Sequence, residues 1–242
     1  ADYDGWIDLF GWGTGDAPTK SSTDYSDYST FVDWGTNQIG ADAPNTWRTL
    51  SKDEWMYIFY NRPNAQSLFA FGSVNGVNGT IILPDNWTTP SGVSFVASTT
   101  QGLSWDGSSY YNSNDNNFSH NTYTAEQWQT MEQAGAVFLP ASGYRWGTDV
   151  DDVGNIGSYW SSTERSEGSA YLVDFLSYGL YPQGNYDRNY GQAVRLAKTF
   201  VLTFQVLATP SDLAHGTVEG GGVFKKGEQT TLKATANEGY KF

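Results

Sequence analysis

The sequence has no cysteine, and only two histidines and two methionines among its 242 residues. Without cysteine the chain forms no disulfide, no thiolate metal site and no iron–sulfur cluster, and it has no thiol nucleophile. It also lacks an apolar run of the roughly 18 residues that a membrane-spanning helix needs. We therefore predict a protein that does not insert into a membrane.

Basic residues are scarce: 13 lysines and arginines stand against 26 aspartates and glutamates, which gives a formal net charge of −13. This charge argues against nucleic acid or an anionic membrane as the partner. The charge is uneven, because residues 200–242 hold four acidic and four basic side chains. Together with a change from Trp- and Tyr-rich to Thr-, Val- and Lys-rich sequence, this step predicts a domain of residues 1–199 and a small module of residues 200–242.

Aromatic residues are abundant, with ten Trp and sixteen Tyr, and each removes roughly 150–250 Å² from water when it is buried. Two segments carry a capping box, in which Ser or Thr is followed three residues later by Glu or Gln. Ser51 with Glu54 and Thr124 with Gln127 therefore predict the starts of two helices. Gly135 predicts the end of the second helix.

The remaining sequence indicates short strands between polar loops. The predicted strands are residues 80–83, 93–97, 137–139, 170–175 and 193–196, and residues 200–242 are predicted to be all-β. Two helices among short strands and long loops predict an α+β fold for residues 1–199.

The segment Tyr-Leu-Val-Asp-Phe-Leu, which begins at Tyr171, is typical of a strand whose side chains alternate between two faces. We predict that its first, third and fifth residues face the core and that Leu172, Asp174 and Leu176 face solvent. Adjoining exposed apolar and tyrosine side chains are typical of an interaction site. The alternative is that the strand is buried on both faces and that no such patch exists.

The same pattern of polar, tyrosine and leucine side chains extends on both sides of this strand. The predicted ligand-binding residues are Glu164, Arg165, Glu167, Ser169, Leu172, Asp174, Leu176, Tyr178, Leu180, Tyr181, Asn185, Tyr186, Asp187, Asn189 and Tyr190. We expect the partner to be a protein or a glycan. Trp160, by contrast, is predicted to be a core residue rather than a platform for stacking a sugar.

No cofactor is required by the sequence, but one loop offers oxygen ligands of the kind that Ca²⁺ prefers. Asp149, Asp151 and Asp152, with Asn155 nearby, form this candidate calcium site, although their spacing differs from that of an EF-hand. The alternative is that these acids are solvated. Glycoside hydrolysis needs two carboxylates, but no local motif selects a pair, and we predict that the protein is not an enzyme.

Six sequence blocks, in order, resemble one known family. They are residues 5–14 (GWIDLFGWGT), 47–55 (WRTLSKDEW), 82–87 (ILPDNW), 135–145 (GAVFLPASGYR), 159–162 (YWSS) and 193–196 (AVRL). They resemble a Bacteroidales surface-protein domain of the Fibrobacter major-paralogous type, which is related to the formylglycine-generating-enzyme branch of the C-type lectin fold. Residues 203–242, with GTVEGGG, KGE and NEGYKF, resemble the divergent B-repeat of internalin-type surface proteins, and we expect this repeat to be truncated.

The resemblance implies a C-type-lectin-like domain with two helices, short strands and long loops, located on a bacterial surface or a phage virion. It argues against enzymatic relatives, because these use paired cysteines or several histidines, and this chain has only His120 and His215. The fold includes variable proteins of diversity-generating retroelements, in which replaceable side chains lie on a constant scaffold. We therefore expect a receptor or adhesin. The alternative is a structural spacer in a surface stalk or adhesin.

Overall fold

The computed structural model describes Trp12 and residues 31–112, 117–146, 149–199 and 203–241. The sequence block at residues 5–14 lies outside the described residues except for Trp12. The chain divides into two compact units, Ala1–Lys198 and Thr199–Phe242. No helix in the described ranges has the length and apolar character that crossing a membrane requires.

The described part of the first unit is built mainly from strands. These are β1 (Trp47–Thr49), β2 (Phe69–Val74), β3 (Val77–Ile82), β4 (Ser104–Trp105), β5 (Tyr110–Tyr111), β6 (Thr122–Tyr123), β7 (Val137–Pro140), β8 (Tyr144–Trp146), β9 (Asp149–Asp151), β10 (Ile156–Ser166), β11 (Ser169–Leu176), β12 (Gly179–Asp187) and β13 (Leu196–Lys198). The helices are α1 (Lys52–Met56), continued by a π-helical turn (Tyr57–Asn61), α2 (Ala125–Gln133), and the 3-10 turns Trp34–Thr36, Ala65–Ser67 and Asn117–Ser119.

The prediction of an α+β, C-type-lectin-like domain is wrong, because the fold is predominantly β. α1 has five residues and α2 has nine, whereas β10, β11 and β12 have 11, 8 and 9 residues. Both predicted capping boxes do form, and Gly135 follows α2 with a left-handed φ of 96°. A capping box sets where a helix begins and not how far it extends. The segment that was expected to be rich in loops instead pairs in long antiparallel strands.

The predicted strands at 80–83, 137–139 and 170–175 overlap β3, β7 and β11. Residues 93–97 form no strand, and the predicted strand at 193–196 overlaps only the first residue of β13. The long strands β10 and β12 were not predicted, because their sequences mix polar residues and glycine without a clear alternation.

Two larger sheets enclose the main core of the first unit. One has five strands in the order β10-β11-β12-β5-β4 and is antiparallel throughout. The other has the order β6-β2-β3-β7, with only β6 parallel to its neighbour. Between them α1 contributes Trp55, and the sheets contribute Phe71, Val173 and Phe175 to one buried cluster. α2 packs on the other face of the four-stranded sheet through Met131.

The close packing of this core depends on Gly157. It lies opposite Phe175 in the β10–β11 register, and a Cβ built on Gly157 would lie 2.1 Å from the Phe175 ring. Real Cβ atoms do not approach so closely, so only glycine lets the ring lie against the β10 backbone. Gly157 therefore allows the inner face of the five-stranded sheet to pack closely in the core.

The described part of the second unit contains β14 (Thr203–Val206), β15 (Gly216–Glu219), β16 (Gly222–Lys225) and β17 (Lys233–Ala236). They form two separate antiparallel pairs, β14 with β16 and β15 with β17. Among residues 203–241 only Gly216 is buried. Two-stranded ribbons are marginally stable alone.

Candidate ligand-binding face

The five-stranded sheet has one face in the main core and one face outside it. Cross-strand partners lie on the same face, so the register assigns each residue to a side. The outer face carries Trp160, Leu172, Ser158, Asp174, Tyr181, Ile156, Leu176, Tyr111 and Tyr186. A third buried cluster, formed by Trp12, Trp160, Ala170 and Leu172, covers one end of this outer face. Trp160 is 1% exposed, which confirms its prediction as a core residue.

Four aromatic rings gather beside the covered end of the outer face. Tyr144 lies 6.4 Å from Tyr186 and 5.8 Å from Tyr190, measured between ring centroids. Tyr186 and Tyr190 are 5.3 Å apart, and Trp146 stacks on Tyr190 at 6.3 Å with an angle of 9°. Tyr144 and Trp146 alternate along β8 and therefore point to the same side of the β8–β9 hairpin. The result is a continuous aromatic surface.

A second aromatic group lies at the β11–β12 turn. Tyr178 is in this turn, and its ring meets that of Tyr111 edge-on at a centroid distance of 6.0 Å. Tyr181 is the cross-strand partner of Asp174, between this group and the first. We call the surface formed by Tyr111, Tyr144, Trp146, Asp174, Tyr178, Tyr181, Tyr186 and Tyr190 the tyrosine face.

Asp174 is the carboxylate at the centre of the tyrosine face. The Ser158 hydroxyl donates a hydrogen bond of 2.6 Å to Asp174 Oδ1. Burial raises the pKa of Asp174, and the hydrogen bonds from Ser158 and from the Phe175 backbone oppose this effect only in part. The half-buried carboxylate is therefore easier to protonate than an exposed one, and it is held in a fixed position.

Carboxylates lie near several hydroxyls of the tyrosine face. Burial is the largest cause that raises the pKa values of Tyr144, Tyr186 and Tyr181. Asp152 and Asp151 add to it at Tyr144, Asp174 and Asp152 add to it at Tyr186, and Tyr178, then Asp174 and Asp106, add to it at Tyr181. Backbone hydrogen bonds from Ser108 and Ser109 lower the pKa of Asp106 to about 2, so it is ionised at neutral pH. No cation contributes to any of these shifts.

A cleft of about 590 Å³ adjoins the tyrosine face at Tyr178. It is lined in part by Asn78, Asp152, Asn155, Leu176 and Ser177. This volume lies within the usual range of small-ligand pockets, about 300–1,000 Å³. The cleft therefore offers room for one group of a bound partner beside the aromatic surface.

The predicted exposed leucine patch is not present, because Leu172 and Leu180 are 1% and 0% exposed. Leu172 points to the outer face as predicted, but it packs with Trp12 and Trp160. Leu180 points to the core, because the turn at Ser177 and Tyr178 reverses the chain and pairs Leu180 with Phe175. The inward and outward alternation therefore does not continue unbroken from 172 to 180. Leu176 remains partly exposed and lines the cleft.

The other predicted ligand residues divide into two groups. Asp174, Tyr178, Tyr181, Tyr186 and Tyr190 belong to the tyrosine face. The rest lie elsewhere: Ser169 and Asn189 are buried, Glu164 is ion-paired with Arg188 at 2.7 Å, Arg165 is exposed near the end of β10, Glu167 is exposed in the β10–β11 turn, and Asn185 and Asp187 are partners of Tyr171 and Ser169.

The candidate calcium loop does not gather its ligands. Asp149 and Asp151 are in β9 and are exposed, and Asp152 follows with a left-handed φ of 54°. The described residues, which include this loop, contain no group of three or more His, Cys, Asp or Glu side chains placed to hold a metal ion. Asp149 and Asp151 instead pair across the hairpin with Trp146 and Tyr144, where their charges border the tyrosine face.

Sequence reasoning missed Tyr111, Tyr144 and Trp146. Tyr144 lies in the block at residues 135–145 that resembles a known family, but Tyr-Arg-Trp also places two aromatic rings at alternate positions, which is the pattern that selects Asp174 and Leu176. Tyr111 carried no such signal, since only the pairing of β5 with β12 brings it beside Tyr178.

Comparison with known proteins gives one finding. A family model described as a domain of unknown function (DUF8237) matches residues 108–197. This range contains all the residues of the tyrosine face. No curated protein and no solved structure matches the chain.

Proposed function

We propose that the protein is a non-enzymatic recognition module that binds an external partner through the tyrosine face. The observation that carries this proposal is the exposure of large rings on one surface. Trp146, Tyr111, Tyr178 and Tyr186 keep 49%, 46%, 39% and 39% of their surface exposed. Adjoining exposed aromatic rings with polar neighbours are typical of binding sites. Tyrosine and tryptophan are also enriched among the interface residues that contribute most of the binding free energy.

The support beneath the rings also favours binding. Val173 and Phe175 on the inner side of β11 are fully buried, and Trp160 closes one end of the outer side. Rings held on such a sheet lose little freedom when a partner covers them, and this lowers the cost of association. The cleft beside Tyr178 extends the surface with polar groups.

The same arrangement supports the hypothesis of a variable protein on a constant scaffold. Substitution of Tyr178, Tyr181 or Tyr186 changes an outward side chain, whereas substitution of Leu172 or Leu180 opens the core. In this proposal the replaceable positions are those of the tyrosine face. Its location on a bacterial surface or a phage virion follows from the sequence resemblance.

The proposal is tested by retention of the labelled 242-residue chain on an array of glycans and an array of peptides. We compare the wild-type chain with Trp146→Ala, Tyr186→Ala and a control, Tyr57→Ala. Tyr57 is 49% exposed, like Trp146, but lies in the turn after α1. We expect the two face variants to lose at least about tenfold in affinity for whatever the wild type retains, and the control to bind normally. Retention that survives both face variants would contradict the proposal.

A further inference from the structure

The charges around the tyrosine face restrict the chemistry of its partner. Asp149 and Asp151 border Trp146 and Tyr144 across the β8–β9 hairpin. The remaining carboxylates that act on the rings of the face are Asp106, Asp152 and Asp174. Three of these five carboxylates lie within four residues of the sequence: Asp149, Asp151 and Asp152. The negative charge is therefore concentrated at the end of the tyrosine face that contains Tyr144 and Trp146.

Most basic side chains in the described part of the first unit form ion pairs outside the tyrosine face. Five of these side chains are paired in this way: Arg48 with Glu54, Lys52 with Asp53, Arg62 with Asp85, Arg188 with Glu164 and Lys198 with Asp42. Arg145 lies between Tyr144 and Trp146 in β8, and its cross-strand partner is Val150. It therefore points to the opposite side of the hairpin.

We infer that the partner is a protein segment rich in arginine or lysine, which presents its cations to the tyrosine face. This inference rests on the proposed function and names the class of its ligand. Cations are attracted both to the faces of Trp and Tyr rings and to carboxylates, and arginine in particular stacks on aromatic planes. The rings of Trp146 and Tyr186 supply the first attraction, and the carboxylates beside them supply the second. An acidic partner would meet repulsion over the whole surface.

The inference is tested with two short synthetic peptides that differ only in charge. One repeats Gly-Ser-Arg, and the other has citrulline, the neutral isostere of arginine, in place of each arginine. Neutral oligosaccharides of glucose and mannose serve as the glycan probes. Binding to the 242-residue chain is followed by NMR through the indole N–H signal of Trp146, which a Trp146→Phe variant assigns.

We expect the arginine peptide to bind at least about fivefold more tightly than the citrulline peptide, and we expect this difference to shrink as salt screens the charges. The double variant Asp151→Asn with Asp152→Asn is expected to remove most of the difference. Asp53→Asn, an exposed acid in α1, is the control and is expected to retain it. Circular dichroism of each variant confirms that it is folded.

Three results would overturn the inference. Equal binding of both peptides at Trp146 would show a binding face without selectivity for cations, which leaves the proposed function intact. A response to the oligosaccharides but to neither peptide would identify a glycan partner instead. No response to any probe, together with no retention on the arrays, would remove the proposed function as well.

Discussion

The rings of Trp146 and Tyr190 lie almost parallel, at 9° and 6.3 Å between centroids, although they come from separate parts of the chain. The backbone beside them explains this arrangement. The N–H of Arg145 donates to the carbonyl of Gly191 at 2.8 Å, and the N–H of Gly191 donates to the carbonyl of Arg145 at 2.8 Å. This pair of bonds joins β8 to the segment after β12. These bonds hold the two rings side by side on the surface, outside the core.

We predict that two tryptophans of this unit differ sharply in their contribution to stability. Trp146→Ala removes an exposed ring and its stacking contact with Tyr190, and we expect a loss of about 1 kcal/mol in the free energy of unfolding. Trp160→Ala removes a ring that is 1% exposed, and a loss of about 3–5 kcal/mol is expected. Urea unfolding followed by circular dichroism measures both. Equal losses would mean that Trp146 is a core residue.

The three leucines of the β11–β12 hairpin provide a second prediction. Leu172→Ala and Leu180→Ala each leave a cavity in a closed core, so each is expected to cost about 2–5 kcal/mol. Leu176 is partly exposed and lines the cleft, and Leu176→Ala is expected to cost less than either. The same unfolding measurement ranks the three. If Leu176→Ala is the most destabilising, the register of this hairpin is incorrect.

The Glu54 carboxylate in the capping box of α1 predicts that the free energy of unfolding depends on pH. Hydrogen bonds from Arg48 lower the pKa of Glu54 to about 2, with further contributions from the backbone and side chain of Ser51. Because the folded state holds Glu54 ionised, this stabilisation is fully present above the ordinary pKa near 4.5 and is lost as the pH falls through the folded value. Glu54 is partly exposed, so Glu54→Gln is expected to cost about 1 kcal/mol or less at neutral pH.

The measurement is the unfolding free energy of wild type and Glu54→Gln between pH 7 and pH 2. The difference is expected to be constant above about pH 5 and to shrink toward pH 2. Glu167→Gln, at an exposed turn, is the control variant measured over the same pH range. A difference independent of pH would show that the carboxylate charge of Glu54 has no role.

Asp174 predicts a pH dependence of stability that is opposite in sign to that of Glu54. Its pKa is raised mainly by burial, so the folded protein binds the proton more tightly than the unfolded chain. Stability is then lost as the pH rises from the ordinary carboxyl range through the raised pKa. Asp174→Asn still accepts the Ser158 hydrogen bond but carries no charge. We expect this variant to gain stability relative to wild type over that pH range and to keep the gain at pH 7. A relative loss would show that the ionised carboxylate is stabilised by its neighbours.

Local features of the fold could be predicted from the sequence. The capping boxes at Ser51 and Thr124 depend on residues three positions apart, and the left-handed Gly135 depends on its lack of a side chain. The alternation in β11 likewise placed Val173 and Phe175 correctly in the core. These predictions held because each depends on neighbours in the sequence.

The remaining features depend on contacts between distant residues. The burial of Leu172 requires Trp12 and Trp160, and no local pattern shows that these cover one end of a sheet. The burial of Leu180 depends on the turn at Ser177 and Tyr178. The tyrosine face combines parts of β5, β8, β11, β12 and the segment after β12. Its tyrosines in 178–190 were predicted from the local pattern of tyrosine, polar and leucine side chains, whereas Tyr111 and Trp146 join it only through strand pairing.

Hydroxyl-radical footprinting of the 242-residue chain tests the binding face most directly, because the rate of side-chain oxidation reports solvent access to Tyr and Trp rings. The oxidation rate is measured for the chain alone and for the chain with the array component that the wild type retains. We predict protection of Trp146, Tyr178 and Tyr186 on binding, with Tyr57 in the first unit and Tyr240 in the second unit unchanged. Protection of Tyr57 or Tyr240 while the three rings of the tyrosine face stay accessible would contradict recognition through this face.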